Sequence, residues 1–286
     1  MTHAVLAYDG EPADGLGHRR RMEALAEALR ALACDVDLVV TGESLRAELV
    51  VVDSYRFRAD DKEWIDADAV VALDDLCRDL EVDIVVDPSP GATVDAHRAA
   101  KRVLTGPKYA LIDPSLAEVV ARPIGPDIGV VLVATGGADA GGVGTSLAAS
   151  LASLLPDAEI RLALGPGVAA TDDERVRVVR TERGLGSFLA DADLVVTAAG
   201  VTLLEALALG RPVVAVVLAD NQRQAADGAA AAGAAVVATL DDAAPAAAAL
   251  ASNLEQRARM AEAARQLVDG LGARRVAEAV AALSAP

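Results

Sequence analysis

Aromatic residues are nearly absent from this chain: one Trp, three Tyr and two Phe make up 2% of its 286 residues. Hydrophobic residues still reach 53%, so the core has to be built from Ala, Val and Leu packed in regular layers, which suits an α/β protein. Positive charge is scarce as well, with 26 Lys and Arg against 43 Asp and Glu and a net charge of −17. Counterion release on nucleic acid needs clustered basic side chains facing phosphates, so no nucleic-acid partner is expected. A small anion stays open, because backbone N–H groups and a few arginines act locally while the global field is screened over about 10 Å.

Cys34 and Cys77 form no C-x-x-C pair, and no metal-ligand spacing surrounds His3, His18 or His97. Structural zinc and other metals are therefore not expected, no cofactor is implied, and a reducing, cytoplasmic location is. The opening "MTHAVLAYDG" lacks the basic and long apolar regions of a signal peptide and reads as a strand. The longest uncharged run, 140–156, is broken by Gly, Ser and Thr and is too short to span a bilayer, so no membrane insertion is expected. Oligomeric state is left at monomer or homodimer.

What the chain has in abundance is short Val/Leu/Ile runs alternating with helical periodicity. Runs at 3–8, 36–40, 47–53, 69–75 and 82–87 show little apolar/polar alternation, the mark of parallel strands covered on both faces. "ARPIGPDIG" (121–129) then gathers two prolines and two glycines before a fresh strand, and the alternation repeats. The sequence thus predicts two tandem doubly wound, Rossmann-like domains, 1–122 and 123–286, the second ending in a helical tail of two segments, 243–254 and 255–285. Ligands of such sheets bind beyond the carboxyl ends of the strands, so the loops there carry the candidate chemistry.

Four loops stand out. In "DGLGHRRRMEALAEAL" (14–29), Gly15 and Gly17 let backbone N–H groups approach an anion at a helix N-terminus. His18 follows as a group able to exchange protons near neutral pH, or as an ordinary loop histidine. In "ATGGADAGG" (134–142), Gly136 and Gly137 suit a phosphate, while Asp139 reads either as part of that site or as a helix cap. In "TAAGVTLLEALALGRP" (197–212), Gly200 and Thr202 offer N–H groups and a hydroxyl to phosphate oxygens. Glu205, one turn on, suits ribose hydroxyls or simply the helix dipole. In "LADNQRQ" (218–224), the Asn221 and Gln222 amides suit sugar hydroxyls. Tyr55 and Asp53 in "VVDSYRF" end a strand and are weaker candidates; adjacent Asp74 and Asp75 read as turn or cap residues.

Taken in order, "DGLGHRRRMEALAEAL", "VVDSY", "ALDDL", "GPKYALI", "ATGGAD", "AGVTLLEALALGRPVVAV" and "LADNQ" resemble the UDP-sugar hydrolase family of the pseudaminic-acid pathway. That family cleaves UDP from UDP-2,4-diacetamido-2,4,6-trideoxy-β-L-altropyranose. The resemblance runs from Ala4 to about Leu240. It implies a GT-B fold with two domains facing a central cleft, UDP held mainly by the C-terminal domain, and Glu205 on the ribose. It also implies that the Gly136 and Gly200 loops lie near the diphosphate and that His18 faces the anomeric carbon with Tyr55 nearby. The G-x-G-H-x-x-R form ends at Arg21, a further expected ligand contact, and favours hydrolysis over transfer. Val201 departs from the Ser or Gly usual in relatives. The expected activity is metal-independent hydrolysis of a nucleotide sugar with His18 as general base. A glycosyltransferase using the same donor, or a non-catalytic nucleotide-sugar-binding protein, are the alternatives.

Overall fold

The computed structural model describes residues 2–10, 16–42, 44–58, 65–169, 171–181 and 184–284 of the chain. Two compact units divide it: Met1–Pro114 together with Gly270–Pro286, and Ser115–Asp269. The first unit carries β1 (His3–Tyr8), α1 (Gly17–Ala31), β2 (Asp35–Val40), β3 (Leu45–Asp53), β4 (Ile65–Leu73), β5 (Ile84–Asp87) and β6 (Arg102–Thr105). Its six strands are all parallel, in the order β2-β1-β3-β4-β5-β6.

The second unit follows with β7 (Val130–Ala134), α2 (Val143–Leu154), β8 (Glu159–Leu164), β9 (Val176–Arg180), α3 (Gly186–Asp191) and β10 (Leu194–Ala198). It continues through α4 (Val201–Ala208), β11 (Val213–Val216), α5 (Gln222–Ala231), β12 (Val236–Ala238), α6 (Leu240–Ala251) and α7 (Leu254–Leu267). These six strands are also parallel, in the order β12-β11-β10-β7-β8-β9. The chain returns to the first unit for its last helix, α8 (Gly272–Ala281).

In α1, Met22, Leu25, Ala26 and Leu29 recur at helical spacing and are all fully buried. Together with Val276 and Val280 of α8 they cover one face of the first sheet, against Leu6, Leu49, Val51 and Val71. A fully buried Leu or Val of this kind contributes roughly 1.5–3 kcal/mol. The opposite face, formed by Val5, Ala7, Val50, Val52 and Val85, is closed by Phe57 and Leu80 from loops. The sequence leads one to expect helices there; among the described residues of this unit, loop side chains take their place. In the second unit, Leu147 and Leu151 of α2 and Ala247 and Leu250 of α6 pack on Val131, Val133, Ile160 and Val214.

The C-terminal run 255–285, expected as one helical segment, is two helices. Val268 adopts extended backbone and Gly270 has φ +77, a conformation open to glycine, so the helix ends and the chain redirects. Arg275 of α8 then donates to the Lys108 carbonyl at 2.9 Å, and a Cβ on Gly272 would run into the Ala110 backbone. The sequence-based boundary at 122/123 follows Pro/Gly composition. Packing groups the chain otherwise, with the turn at Pro114 and the return at Gly270.

Strand order also defines where each sheet opens. In the first, β1 lies between β2 and β3, so the connections leave in opposite directions after β1 and β3; in the second, the reversal lies between β7 and β10. Open parallel sheets bind ligands at such switch points.

Candidate active site

His18, second residue of α1, stands at the β1/β3 switch point of the first sheet and is 2% exposed. Asp53, the last residue of β3, is 1% exposed. Its Oδ1 lies 2.7 Å from His18 Nδ1. An ionised carboxylate only accepts hydrogen bonds, so Nδ1 carries the proton and Nε2 of the neutral ring is left with its lone pair. Tyr55 sets its ring edgewise to the imidazole, with centroids 4.5 Å apart and planes at 78°.

Arg21, one helical turn on, completes the array. Its Nε donates to Asp53 Oδ2 at 2.8 Å and its Nη2 to Asp53 Oδ1 at 2.8 Å, a bidentate pair. Its Nη1 donates to Asp75 Oδ2 at 3.0 Å, where the Tyr55 hydroxyl also donates at 3.3 Å. Nη2 also lies 3.1 Å from His18 Nδ1. Asp75 Oδ1 is buried with no hydrogen-bond partner among the described residues. Asp9, just past β1, ties the surrounding loops, accepting from Thr41 Oγ1 at 2.8 Å and from the Tyr55 N–H at 2.9 Å.

Electrostatics keep this array charged. Burial works to raise the Asp53 carboxyl, but the Arg21 guanidinium and His18 outweigh it and hold Asp53 below the usual carboxylate range. Burial likewise opposes the Arg21 charge, and Asp53 and Asp75 more than reverse that, keeping the guanidinium firmly protonated. Burial and the Asp75 charge raise the Tyr55 phenol well above its ordinary value, so it remains a donor at neutral pH.

The arginines gathered at this helix start are thereby explained in part. Arg21, expected to touch the ligand, donates from its guanidinium nitrogens to two carboxylates. Arg19 pairs with Glu23 one turn along the exposed face of α1, Nε to Oε1 at 2.7 Å. Gly17 opens α1, whose N-terminus no side chain among the described residues caps. Gly15 lies outside the described residues.

In the second unit the glycine loops fall after β7 and β10, the two strands of its switch point. Gly136 has φ +123 and is exposed; the Gly137 carbonyl accepts from the Gly165 N–H at 2.8 Å. Asp139 fulfils the capping alternative. Its Oδ1 accepts from the Gly144 N–H at 2.6 Å and its Oδ2 from Thr145 Oγ1 at 2.6 Å, closing the start of α2. The start of α4 differs: Gly200 precedes it, no side chain caps it, and a Cβ on Gly200 would meet nothing within 4 Å. Neither φ (−102°) nor crowding requires glycine there, so open space before the helix start is the distinguishing feature.

Thr202 lies in the first turn of α4, half-buried, and Glu205 in the next, 5% exposed. Asn221 and Gln222 start α5, where Gln222 Oε1 accepts from the Leu218 N–H at 2.9 Å. The structure therefore brings His18, Tyr55 and Arg21 together in one unit. In the other it sets Gly136, Gly137, Gly200, Thr202 and Glu205 around one switch point. The sequence alone does not reveal Asp53 as the partner of His18 or the contact of Asp75 with Arg21. The strand-terminal position of Asp53 was the available signal. The structure also collects Cys77, Asp87 and His97, whose ligand atoms lie within 4.8 Å of one another, although no sequence spacing announces it.

The fold is that of the GT-B glycosyltransferases. The chain superposes on the glycosyltransferase of kitacinnamycin with a TM-score of 0.69 at 16% identity, over 99% of each chain. Acinetobacter baumannii MurG gives 0.62 at 17% identity over 99% of this chain and 100% of that one. The spinosyn rhamnosyltransferase SpnG, solved with thymidine diphosphate, gives 0.63 at 17% identity over 100% of both. No family model matches the chain. In sequence, 137 residues are 26% identical to the uncharacterized protein MJ1062 of Methanocaldococcus jannaschii, covering 43% of this chain and 28% of that protein. The match spans little more than a quarter of that relative's length.

Proposed function

We propose that this protein is an enzyme acting on a nucleoside-diphosphate sugar, hydrolysing the bond at the anomeric carbon with His18 as general base. The observation that carries the proposal is the buried His18–Asp53 pair at the β1/β3 switch point. A carboxylate that holds the proton on Nδ1 presents Nε2 to take a proton from water, and the imidazolium so formed is stabilised by the same carboxylate. Arg21 keeps Asp53 ionised and fixed in place, so it acts as a positioning residue. The Tyr55 hydroxyl and Asp75 offer polar groups suited to sugar substituents.

Nucleotide binding is assigned to the second unit. The uncapped start of α4 at Gly200 and the Gly136–Gly137 loop point backbone donors at a diphosphate, with Thr202 supplying a hydroxyl and Glu205 a ribose contact. Asn221 and Gln222 remain candidates for sugar or ribose hydroxyls. UDP as the nucleotide, and a UDP-diacetamido sugar as substrate, rest on the sequence resemblance to the pseudaminic-acid pathway hydrolases. Thymidine diphosphate sugars are the next to try, because similar transferases were solved with thymidine diphosphate.

Transfer to a hydroxyl acceptor is the second reading. It is favoured by the glycosyltransferase neighbours and uses the same base on an alcohol in place of water. Supplying purified protein with donor alone and following free nucleoside diphosphate separates the two. Hydrolysis predicts release without acceptor. His18→Ala should lower that release by ~10²–10⁴-fold while UDP affinity is retained. Release only on addition of an acceptor assigns transfer, and an unimpaired His18→Ala removes the base assignment.

A further inference from the structure

Away from His18, the first unit holds a second polar cluster that this reaction does not use. Cys77 lies in the loop after β4, Asp87 ends β5, and His97 closes the turn Val94–His97. His97 is fully buried, and its Nε2 is 3.3 Å from Asp87 Oδ2. Its Nδ1 makes no hydrogen bond among the described residues and faces Asp74 Oδ2 at 3.6 Å. Asp74 is itself anchored by Arg78, through Nε to Oδ1 at 2.7 Å and the backbone N–H to Oδ2 at 2.6 Å.

With the proton of a neutral ring on Nε2, the Nδ1 lone pair would confront a carboxylate in a fully buried place, an arrangement with a desolvation cost and no compensating bond. A cation on Nε2 reverses it: the proton moves to Nδ1 and points at Asp74, the carboxylate–histidine–metal relay seen behind metal-bound imidazoles. A separation of about 3.3 Å is also the ligand-to-ligand edge of a tetrahedron whose bonds are about 2.0–2.1 Å. Cys77 is exposed, which supplies an entry path. Asp74 and Asp75 add negative charge around it.

We propose that Cys77, Asp87 and His97 form a binding site for a borderline-soft divalent cation, Zn²⁺ above all, with a fourth coordination position left for water. One thiolate, one imidazole and one carboxylate are a donor set suited to zinc and disfavour Mg²⁺ or Ca²⁺, which take oxygen ligands. The ion would tie the loop after β4 to the end of β5 and to the 94–97 turn. Binding deprotonates the Cys77 thiol, releasing that proton to solvent, with no change of oxidation state.

Cobalt(II) titration of the full chain tests it, because a thiolate ligand gives a charge-transfer absorption that oxygen and nitrogen ligands do not. The expected result is binding of one Co²⁺ per chain with that band, displaced by Zn²⁺, and a Tm raised by Zn²⁺. The band should vanish in Cys77→Ser, persist in Cys34→Ser, and vanish in His97→Gln. Since His97 is buried and its variant is at risk of misfolding, Cys77→Ser at the exposed ligand is the deciding variant. Absence of Co²⁺ binding, or a band that survives Cys77→Ser, overturns the proposal and leaves His97 as a bridge between two carboxylates.

Discussion

Both units place loops at the switch point of a six-stranded parallel sheet, yet they furnish those loops in opposite ways. The first unit fills its switch point with ionisable side chains: His18, Arg21, Asp53 and Asp75 in mutual contact. The second leaves backbone and small residues there: Gly136, Gly137, Gly200 and Thr202. Their buried arginines differ in the same sense. Arg21 is held by two carboxylates, whereas Arg211, 1% exposed, donates to the Ala192 carbonyl at 2.9 Å and the Leu209 carbonyl at 3.2 Å. Burial pushes Arg211 down to about 10, so it stays protonated at neutral pH as a staple between loops. Arg257 is likewise satisfied by carbonyls, including those of Gly125 and Pro126. A site for proton transfer needs charges that tune one another. A diphosphate site of the kind proposed for the second unit draws on backbone N–H groups, which an acidic chain can supply without adding basic side chains.

The contrast breaks most sharply at Asp53. Asp53→Asn leaves the Arg21 charge buried with one partner fewer and should cost about 3–5 kcal/mol in denaturant unfolding at neutral pH. Turnover should fall with it, because an amide no longer holds the proton on Nδ1. The sign with pH follows from the depressed Asp53 value. Its contribution is complete above the ordinary carboxyl value of 3.8 and is lost as pH falls through the lower folded value, an acid-sensitive component missing from the variant.

The second unit answers differently at Gly200, where a side chain has room. Gly200→Val should leave Tm unchanged and weaken nucleoside diphosphate binding about tenfold, or ~1.4 kcal/mol, by calorimetry. Asp139→Ala, in the neighbouring loop, should do the reverse: it removes a helix cap worth about 1 kcal/mol of stability and leaves nucleotide affinity intact. Smallest of all is Arg19→Ala. The exposed Arg19–Glu23 pair should contribute only ~0.3–0.5 kcal/mol, and turnover should not change.

The sequence carried most of the strands, the glycine-bearing loops after them and the position of His18, because each is written in local periodicity and turn chemistry; β6 (Arg102–Thr105), short and half polar, was missed. It was less informative where a residue's role depends on a distant neighbour. Asp74 and Asp75 look alike as an adjacent pair, yet Asp75 reaches Arg21 while Asp74 anchors Arg78 and faces His97. At Asp139 the sequence did not reveal that its oxygens accept from the Gly144 N–H and the Thr145 hydroxyl at the start of α2.

By itself, then, the sequence determined two runs of short parallel strands, an aliphatic core and a histidine at the mouth of a helix. Those follow from hydrophobic period and from where Gly interrupts it. Only the tertiary structure decided that Asp53 is the partner of His18 across 35 positions, that Cys77, Asp87 and His97 converge, and that α8 returns to the first unit. The physical reason is strand order: β3 lies beside β1, and β4 and β5 lie side by side. Hydrogen bonding between strands distant in sequence sets that order, and no local pattern of residues encodes it.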